Sequence, residues 1–336
     1  MDAILLVGGQ GTRLRPLTAH RHKSLVPVCN TPAIEFLFAW LAKGGISRAI
    51  LALGLANEDL AARYPPGRHR SLEILPVIET SRLESGGAIR NAVAQAGIEG
   101  RFVVLNGDVY LDFPLQRAIE AHVAASAELT LALYPVDDPS PFGVAVCDDR
   151  SRVTGFVEKP PPGKAPSNLV NAGAWIFEPH LVEEIPPGPV RVEETLFPSL
   201  VARGRTVLGY RFEGHWADLG TPARYLALHR ELLGEGNAVH PGATIQPGAS
   251  VTGSAIGEGC FLRAGASVSG SVLWERVHVG ERARITASII ANDATIGPGA
   301  VVEGAVIGAG AAIEQGAVLP PGASVQPGAR YHASHA

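Results

Sequence analysis

The sequence predicts an α/β protein whose mixed, mostly parallel sheet is followed by a left-handed parallel β-helix of hexapeptide repeats. Three observations lead to this fold class. The chain has 336 residues, which suits two domains of roughly 100 to 200 residues each. Its first two thirds alternate short β-branched runs with amphipathic stretches, and a six-residue rhythm of aliphatic residues fills the remainder. We therefore expect one domain at 1–234 and the β-helix at 237–330, with the boundary near Gly234-Glu235-Gly236.

The first domain has the pattern of strands covered by helices. Short apolar runs predict strands at 3–7, 49–53, 72–77, 102–105 and 129–134. A helix is expected after the first strand, with Asn30 or Thr31 as its cap and Pro32 in its first turn. Beyond residue 136 an added antiparallel layer is expected from the runs at 144–147, 153–157 and 170–177.

The last part of the chain repeats a short unit. Six-residue units that begin with an aliphatic residue start at Val239, Ile245, Ile256 and Leu262, and the rhythm returns at Ile296, Ile307, Ile313, Leu319 and Val325. This repeat describes a coil whose three flat faces take six residues each and whose aliphatic side chains stack into a central ladder. A disordered Gly/Ala/Pro linker would not hold them in register. Exposed coil edges and flat faces favour self-association, so we expect a homo-oligomer through the β-helix.

Composition excludes several classes of protein. With 46% hydrophobic and 18% charged residues, the chain resembles soluble globular proteins, and no apolar run approaches the roughly 20 residues of a membrane helix. A net charge of -4 with scattered Lys and Arg gives no footprint for nucleic acid or a membrane surface. No basic leader precedes the first apolar run, so a cytoplasmic protein is expected. The three cysteines lie far apart, which suggests buried thiols rather than disulfides or a zinc site.

A glycine-rich turn, within residues 6–18, follows the first predicted strand. Glycines let backbone N–H groups approach the oxygens of a triphosphate, because no Cβ stands in the way. The turn lacks the Gly-x-Gly-x-x-Gly spacing of dinucleotide sites and the Gly-Lys-Ser/Thr ending of ATPase loops, so neither of those sites is expected. Arg13 and Lys23 follow the turn and can neutralise phosphate charge.

The motif Gly-Gly-x-Gly-Thr-Arg-Leu-x-Pro-Leu-Thr, with Lys-x-Leu-x-Pro-Val after it, resembles the signature of the sugar-1-phosphate nucleotidyltransferases, also called NDP-sugar pyrophosphorylases. The similarity extends through the segments 105–108, 142–144, 156–160, 170–173 and 216–222. It implies a Rossmann-like domain that transfers a nucleotidyl group from a nucleoside triphosphate to a sugar 1-phosphate and releases pyrophosphate. The resemblance covers nearly all of the first domain.

Nucleotidyl transfer needs positioning and charge neutralisation more than covalent chemistry. Mg²⁺ prefers one or two carboxylates together with phosphate oxygens, so two carboxylates are expected to hold it. Asp108 ends a strand at the carboxyl edge of the sheet, where open α/β folds bind ligands, and the resemblance makes Asp218 its partner. The expected catalytic residues are Arg13, Lys23, Asp108 and Asp218; the expected triphosphate contacts are Gly8, Gly9, Gly11, Thr12, Arg13 and Asp108.

The second substrate is a sugar 1-phosphate. The resemblance assigns Glu158 to the sugar hydroxyls and Lys159 to the phosphate. Asn171 and Gly143 would complete the sugar pocket, the glycine because a backbone can then lie against the ring. The sugar phosphate would attack the α-phosphorus directly, without a covalent enzyme intermediate.

The base is expected to contact the first glycines and the segment 79–89, including Glu79 and Gly86. This segment resembles the family's second nucleotide-binding stretch but has Arg82 in place of Pro and Glu84 in place of Gly. A carboxylate at Glu79 only accepts hydrogen bonds, and guanine offers adjacent N1–H and N2–H donors, which favours GTP. The β-helix segments 271–290 and 305–308 resemble the C-terminal domain of mannose-1-phosphate guanylyltransferases. Related thymidylyl- and uridylyltransferases can carry similar C-terminal domains and segment 82–85 is altered, so UTP or dTTP with glucose 1-phosphate or a related sugar stays an alternative.

Two other classes are to be weighed. Left-handed β-helices also form acyltransferases, for which His278 is the obvious candidate base, although a lone histidine there is more often a surface residue. A regulatory homologue would keep the fold and bind sugar nucleotide without catalysis. Arg13, Lys23, Asp108 and Asp218 are all present in the sequence, which favours the enzyme over the regulatory homologue.

Overall fold

The computed structural model describes residues 1–55 and 57–332. The chain forms two compact units, one of Met1–Gly9 with Ile34–Trp216 and the other of Gln10–Ala33 with the residues from Ala217 onward. Residues 10–33, called here the signature segment, therefore pack with the C-terminal part of the chain. The domain boundary near residues 234–236 stays a prediction.

Six α-helices are present in the described residues: α1 (Ala33–Lys43), α2 (Glu58–Arg63), α3 (Glu84–Ala96), α4 (Leu115–Ala124), α5 (Leu196–Ala202) and α6 (Pro222–Leu233). Short 3₁₀ turns lie at Thr12–Leu14, Lys23–Leu25 and Pro179–Glu184. The strands that precede the β-helix are β1 (Asp2–Leu6), β2 (Pro27–Val28), β3 (Thr31–Pro32), β4 (Arg48–Leu53), β5 (Gly67–His69), β6 (Leu72–Ile78), β7 (Phe102–Asn106), β8 (Val109–Asp112), β9 (Leu129–Pro135), β10 (Gly143–Cys147), β11 (Val153–Glu158), β12 (Leu169–Phe177), β13 (Val207–Arg211) and β14 (His215–Asp218).

The first unit is built on a 10-stranded sheet in the order β11-β10-β12-β7-β1-β4-β6-β5, in which β9 pairs with β12 and β13. Strand β1 pairs in parallel with β4 and β7, and β4 pairs in parallel with β6. The central residues of β1 and β4 are buried, as in sheets covered on both faces. The predicted strands are confirmed with shifts of one residue at their ends, and the carboxyl ends of β1, β4, β6 and β7 share one edge.

The antiparallel strands extend this sheet, so the expectation of an added layer was wrong. Strand β12 pairs antiparallel with β7, with Trp175 opposite Val104, and β10 pairs with both β11 and β12. The backbone groups at the edge of β7 thus find their partners in β12, and no second layer is needed to satisfy them. A core of aliphatic and aromatic side chains, including Trp175 and Phe197, lies on one face.

The start of the first helix also differs from expectation. Helix α1 begins at Ala33, because Thr31–Pro32 form strand β3 and pair with Pro27–Val28. Cys29 and Asn30 connect these strands with positive φ angles of 46° and 68°. Two consecutive residues of positive φ form the tight turn that a two-residue hairpin connection requires.

The β-helix consists of three parallel sheets of 6, 6 and 5 strands. Its strands are β15 (Ala238–Val239), β16 (Thr244–Ile245), β17 (Ser250–Thr252), β18 (Ala255–Ile256), β19 (Phe261–Leu262), β20 (Ser267–Ser269), β21 (Val272–Leu273), β22 (His278–Val279), β23 (Arg284–Thr286), β24 (Ile289–Ile290), β25 (Thr295–Ile296), β26 (Val301–Glu303), β27 (Val306–Ile307), β28 (Ala312–Ile313), β29 (Val318–Leu319), β30 (Ser324–Val325) and β31 (Arg330–Tyr331). The aliphatic positions of the repeat form a buried ladder from Ile256 to Val325. The predicted β-helix is confirmed.

The coils are shorter than three sets of six residues. Equivalent residues of successive coils, such as Ser254, Ser271 and Ser288, stand 17 positions apart. The third face is the short one, since Ala238, Thr244 and Ser250 start successive strands six residues apart but Ala255 follows Ser250 by only five. Among the coils of residues 238–332, only the last, where Val306 pairs with Ser324, takes one residue more.

A ladder of buried serines closes this short corner. The Ser271 Oγ donates to Ser269 O at 2.8 Å and accepts from Ser288 N at 3.0 Å, and Ser254 and Ser288 repeat the arrangement in neighbouring coils. All three are at most 1% exposed. Each hydroxyl thus donates to a backbone C=O and accepts from a backbone N–H group that the tight corner leaves without a partner in the sheet.

Two further expectations concern the whole chain. Among the described residues, no helix has the length and apolar character needed to cross a membrane. Cys260 is buried, whereas Cys29 and Cys147 are half-buried. Burial raises the thiol pKa of Cys147 and of Cys260 to about 11, so both remain protonated at neutral pH.

Ser271→Ala should lower the free energy of unfolding by about 1–3 kcal/mol, because it leaves the buried Ser288 N–H without this acceptor. Urea unfolding followed by circular dichroism measures the change. Ser250→Ala is the matched control, since Ser250 is exposed on β17. Equal stability of the two variants would contradict a structural role for the ladder.

Candidate active site

The first turn after β1 lies close to the turn after β4. Val7 continues the parallel pairing by donating from its N–H to Ala52 O at 3.0 Å. A Cβ added to Gly8 would lie 3.4 Å from Gly54 N, and one added to Gly54 would lie 2.7 Å from Gly8 O. The buried Asn57 side chain donates to Val7 O at 2.5 Å and fixes the turn further. Glycine at these positions therefore lets two backbone turns approach each other at the sheet edge.

Glu79 follows β6 at the same edge. Its Oε1 is 3.6 Å from the position of a Cβ on Gly8, and its Oε2 accepts from Leu83 N at 3.2 Å. The side chain is buried, and this burial raises the pKa of the carboxyl; the Leu83 N–H opposes the shift and the Glu84 charge adds to it. A buried carboxylate beside the glycine turn is an acceptor for a ligand's N–H groups.

Asp108 lies in the turn between β7 and β8 and is half-buried. Strand β7 pairs with β1 so that Asn106 stands opposite Leu6, and Gly107 N donates to Leu6 O at 3.0 Å. The turn that carries Asp108 therefore adjoins the end of β1. Gly8, Glu79 and Asp108 thus lie along one edge of the sheet.

A second group of predicted residues lies where β10 meets β11. Gly143 stands opposite Glu158 in the antiparallel register, and a Cβ on Gly143 would be 2.6 Å from Glu158 Oε2. The Lys159 Nζ is 3.2 Å from Glu158 Oε1, and the lysine side chain is 56% exposed. Lys159 has a positive φ of 46° and its N–H donates to Phe142 O. The Glu158 carboxylate and the Lys159 ammonium group are thus held together next to the backbone of Gly143, which carries no side chain.

Asn171 is held in one orientation within a bulge of β12. Its Oδ1 accepts from Trp175 Nε1 at 2.7 Å and from Gly173 N at 3.2 Å. This leaves the Nδ2 end as the donor that a ligand hydroxyl can meet. Gly173 has a φ of 73°, and a Cβ there would be 2.7 Å from Asn106 Nδ2. The bulge therefore adjoins β7 close to the turn that carries Asp108.

Trp216 packs beside the strands that carry Gly143 and Asn171 and was not singled out by sequence reasoning. Its Nε1 donates to Ala172 O at 2.9 Å, and its ring packs edge-on against Phe142 at 5.2 Å. The signal was present, because Trp216 and Phe142 belong to two of the motifs that resemble the family. Their spatial pairing is what a single sequence does not show.

Gly86 has a packing reason for being glycine. A Cβ at Gly86 would lie 2.8 Å from Val190 Cγ2, and its N–H donates to Val190 O at 2.8 Å. The next residue, Gly87, would likewise bring a Cβ within 2.5 Å of Gly188 O. These two contacts explain both glycines, because a side chain at either position would clash with residues 188–190, against which α3 packs. A nucleotide contact at Gly86 stays a prediction.

In the second unit, the signature segment folds tightly on itself. Gly11 has a φ of 60° and caps the turn Thr12–Leu14. Its carbonyl accepts from the Thr18 Oγ1 at 2.7 Å, and a Cβ on Gly11 would stand 3.0 Å from Lys23 Cβ. Lys23 is half-buried at the start of its own 3₁₀ turn. The turn at Gly11 and the stem of Lys23 are thus packed against each other.

Arg13 and Asp218 both lie close to Gly220, on the side where a Cβ would stand. A Cβ on Gly220 would be 2.8 Å from Arg13 Nη2 and closer still to Asp218 Oδ1, which accepts from Gly220 N. Arg224 Nη1 is 2.9 Å from Asp218 Oδ2. Thr221 caps α6 by accepting from Arg224 N at 3.3 Å, which holds that arginine in place. Arg224 is a site residue that the sequence analysis missed.

The donor chemistry of Asp218 fits a hard cation. Asp218 presents carboxylate oxygens, its side chain is 15% exposed, and its pairing with Arg224 holds the group in one position. Carboxylate oxygen with phosphate oxygen is the donor set that Mg²⁺ prefers. Within 1–55 and 57–332, no group of three or more His, Cys, Asp or Glu side chains forms a complete protein cage. A site completed by substrate phosphates needs no such cage.

The predicted residues therefore fall into three groups. Gly8, Glu79 and Asp108 share the sheet edge; Gly143, Glu158, Lys159 and Asn171 flank the antiparallel strands of the same unit; and Gly11, Thr12, Arg13, Lys23 and Asp218 belong to the second unit. Gly9 ends the first segment of the first unit. His278 is exposed on β22 beside the Phe261 ring.

Comparison with known proteins connects these groups to a family. The family described as Nucleotidyl transferase matches residues 2–235, and the one described as GMPPB C-terminal domain matches residues 234–331. A crystal structure of HddC from Yersinia pseudotuberculosis superposes with a TM-score of 0.59 at 25% identity, covering 69% of this chain and 99% of that one.

Curated relatives agree with both matches. A mannose-1-phosphate guanylyltransferase of Mycobacterium tuberculosis is 35% identical over 268 residues, 75% of this chain and 74% of the relative. A mannose-1-phosphate guanyltransferase of Hypocrea jecorina is 34% identical over 68% of this chain, and a mannose-1-phosphate guanylyltransferase catalytic subunit beta of Danio rerio is 35% identical over 67%. The match spans 63% of the length of each of these two relatives. The chain belongs to the nucleotidyl transferase family.

Proposed function

We propose that this protein transfers a guanylyl group from GTP to mannose 1-phosphate, giving GDP-mannose and pyrophosphate. The observation that carries the proposal is the grouping of Gly8, Glu79 and Asp108 along one sheet edge in a member of this family. A backbone turn open to phosphate, a buried acceptor and a carboxylate then lie in a row. Relatives that are 35% identical to the chain over the matched region are named for this reaction.

Each substrate has its own residues in this proposal. Gly8, Gly9, Gly11, Thr12 and Arg13 bind the triphosphate, and Glu79 accepts from guanine N1–H and N2–H. Glu158 accepts from sugar hydroxyls, Lys159 binds the sugar phosphate, and Asn171 donates to the ring substituents through Nδ2. Gly143 leaves room for the ring, because any Cβ there would occupy the space beside Glu158.

The chemical step is a single displacement. An oxygen of the sugar phosphate attacks the α-phosphorus, the bond to the bridging oxygen of pyrophosphate breaks, and that oxygen leaves with the negative charge. Arg13 and Lys23 bind the phosphate oxygens and neutralise this charge as it develops. Asp108 and Asp218 are the proposed Mg²⁺ ligands, and the cation would supply further charge neutralisation on the phosphates.

The β-helix is proposed to assemble the protein into a homo-oligomer, in the cytoplasm where nucleoside triphosphates are available. Val239 and Ile245, at ladder positions of the first coil, are 40% and 38% exposed. These edge positions are apolar and are suited to burial against another chain. Sedimentation as a monomer at micromolar concentration would count against an oligomer.

Pyrophosphate release in the presence of Mg²⁺ tests the reaction directly. The protein is incubated with each of GTP, UTP, dTTP, CTP and ATP against mannose, glucose and N-acetylglucosamine 1-phosphates, with acetyl-CoA consumption followed separately. Release with GTP and mannose 1-phosphate, with GDP-mannose identified by mass, is the expected result. A strict requirement for UTP or dTTP would replace the substrate assignment, and no release from any pair would favour the regulatory homologue.

Asp108→Asn should lower kcat by about 100-fold or more, because the amide keeps the shape but loses the charge that a metal and its phosphates require. Initial rates of pyrophosphate release measure the effect. Asp112→Asn, an exposed carboxylate at the end of β8, is the control and should retain wild-type rates. A comparable loss in both variants would point to a general electrostatic effect.

Glu79→Gln should reduce kcat/KM for GTP relative to UTP by about 10- to 100-fold, because the amide offers one acceptor where guanine needs two. The ratio is measured in competition between the two triphosphates. Glu73→Gln, exposed on β6, is the control. An unchanged ratio in the Glu79 variant would remove this residue from base recognition.

The preference for GTP over UTP should decline as the pH falls. Burial raises the pKa of the Glu79 carboxyl, so this group takes up a proton at a higher pH than an ordinary carboxyl does. The ionised acceptor is present above this raised pKa and is lost below it. Ratios of kcat/KM measured from about pH 8 to about pH 5 should fall in the wild type and stay level in Glu79→Gln.

A further inference from the structure

The β-helix holds the signature segment through an ion pair close to Lys23. Arg21 donates from Nη1 and Nη2 to the two carboxylate oxygens of Glu275, both at 2.9 Å. Its guanidinium also lies 4.8 Å from the centroid of the Trp274 ring. A bidentate pair stacked on an indole fixes the position of a guanidinium more firmly than a single contact does.

The same tryptophan reaches the hairpin that ends the segment. Trp274 is 1% exposed, and its Nε1 donates to the Tyr225 hydroxyl at 3.0 Å. That hydroxyl in turn donates to Pro27 O. Tyr225 is fully buried, so this chain of hydrogen bonds is shielded from water. Loss of one partner there lowers the stability, because the remaining polar group stays buried without a hydrogen bond.

Two further contacts hold the turn of the hairpin. The His229 Nε2 accepts from Cys29 N at 3.1 Å, and its Nδ1 donates to Tyr225 O at 2.9 Å. Asn30 Nδ2 donates to Ala238 O and Ile256 O at 2.8 and 3.0 Å. The turn of positive φ at Cys29 and Asn30 is thus anchored on α6 and on the first coils of the β-helix.

These anchors bracket Lys23, which lies two residues after Arg21 and four before Pro27. The stem of Lys23 packs against Gly11, so the position of the glycine turn depends on the position of the lysine. Burial lowers the pKa of His229 to about 4, so at neutral pH the ring is neutral and its Nε2 can accept from Cys29. The anchors therefore persist under the conditions of the reaction.

We propose that Trp274 and Glu275 of the β-helix are positioning residues for the reaction, acting through Arg21 and Pro27 to set the place of Lys23 and the glycine turn. The β-helix then contributes to catalysis within one chain, apart from any role in assembly. This inference rests on the proposed function. Misplacement of a charged group by about 1 Å is enough to lower a rate up to about 100-fold.

Glu275→Gln, Arg21→Gln and the double variant test the proposal in the full-length protein. Each should lower kcat about 10-fold or more with KM for both substrates nearly unchanged, because the charge of Lys23 acts mainly in the transition state. The double variant should be no worse than either single one, since both break the same contact. Additive losses, or an unchanged kcat in Glu275→Gln, would overturn the proposal.

Asp293→Asn is the matched control. Asp293 also makes a bidentate pair with an arginine, Arg276, one coil further along the β-helix. Asp293→Asn should leave kcat at the wild-type value while changing the melting temperature about as much as Glu275→Gln does. An equal loss of kcat in this variant would show that any weakened ion pair of the β-helix impairs the enzyme, and would also overturn the proposal.

Hydrogen exchange supplies a readout that does not depend on turnover. Amides of residues 21–30 should exchange faster in Glu275→Gln than in Asp293→Asn, and Trp274→Phe, which keeps an aromatic ring but removes the N–H donor, should act similarly. Equal exchange in all variants would overturn the anchoring. If the wild type turns over no substrate pair, the proposed function fails, while the exchange result still decides whether the β-helix holds the segment.

Discussion

The parallel pairing of β1 with β4 and β7 is the constraint on which the first unit depends. It brings the carboxyl ends of these strands to one edge, so that the turns carrying Gly8, Gly54 and Asp108 are neighbours. Glu79 joins them because β6 pairs with β4 in the same direction. None of these residues is close to the others in sequence. The sheet therefore creates a binding edge before any ligand arrives.

The second unit gives the signature segment a different support. Its glycine turn folds around Lys23, and its hairpin hydrogen-bonds to α6 and the first coils of the β-helix. The β-helix is rigid because its aliphatic ladder and its serine ladder are both buried. Attaching glycine-rich backbone to such a scaffold reduces the conformational freedom that substrate binding would otherwise have to remove.

Much of this arrangement could be predicted from the sequence, for identifiable reasons. Apolar runs gave the strands to within a residue, and the recurrence of aliphatics from Val239 gave the β-helix. The short third face was missed because the buried serine that follows it, which hydrogen-bonds to the backbone two residues earlier as Ser254 does to Thr252 O, leaves the aliphatic rhythm almost unchanged. Arg224 and Trp274 were missed because their roles arise from contacts with residues far away in sequence.

The central claim is that an oxygen of the sugar phosphate displaces pyrophosphate directly at the α-phosphorus, while Arg13 and Lys23 neutralise the charge on the phosphates. The most direct test is the stereochemical course with a GTP analogue that carries sulfur at the α-phosphorus in one defined configuration. A single displacement inverts the configuration in the GDP-sugar product. Retention would mean two displacements and a covalent intermediate on the protein, and would contradict the account.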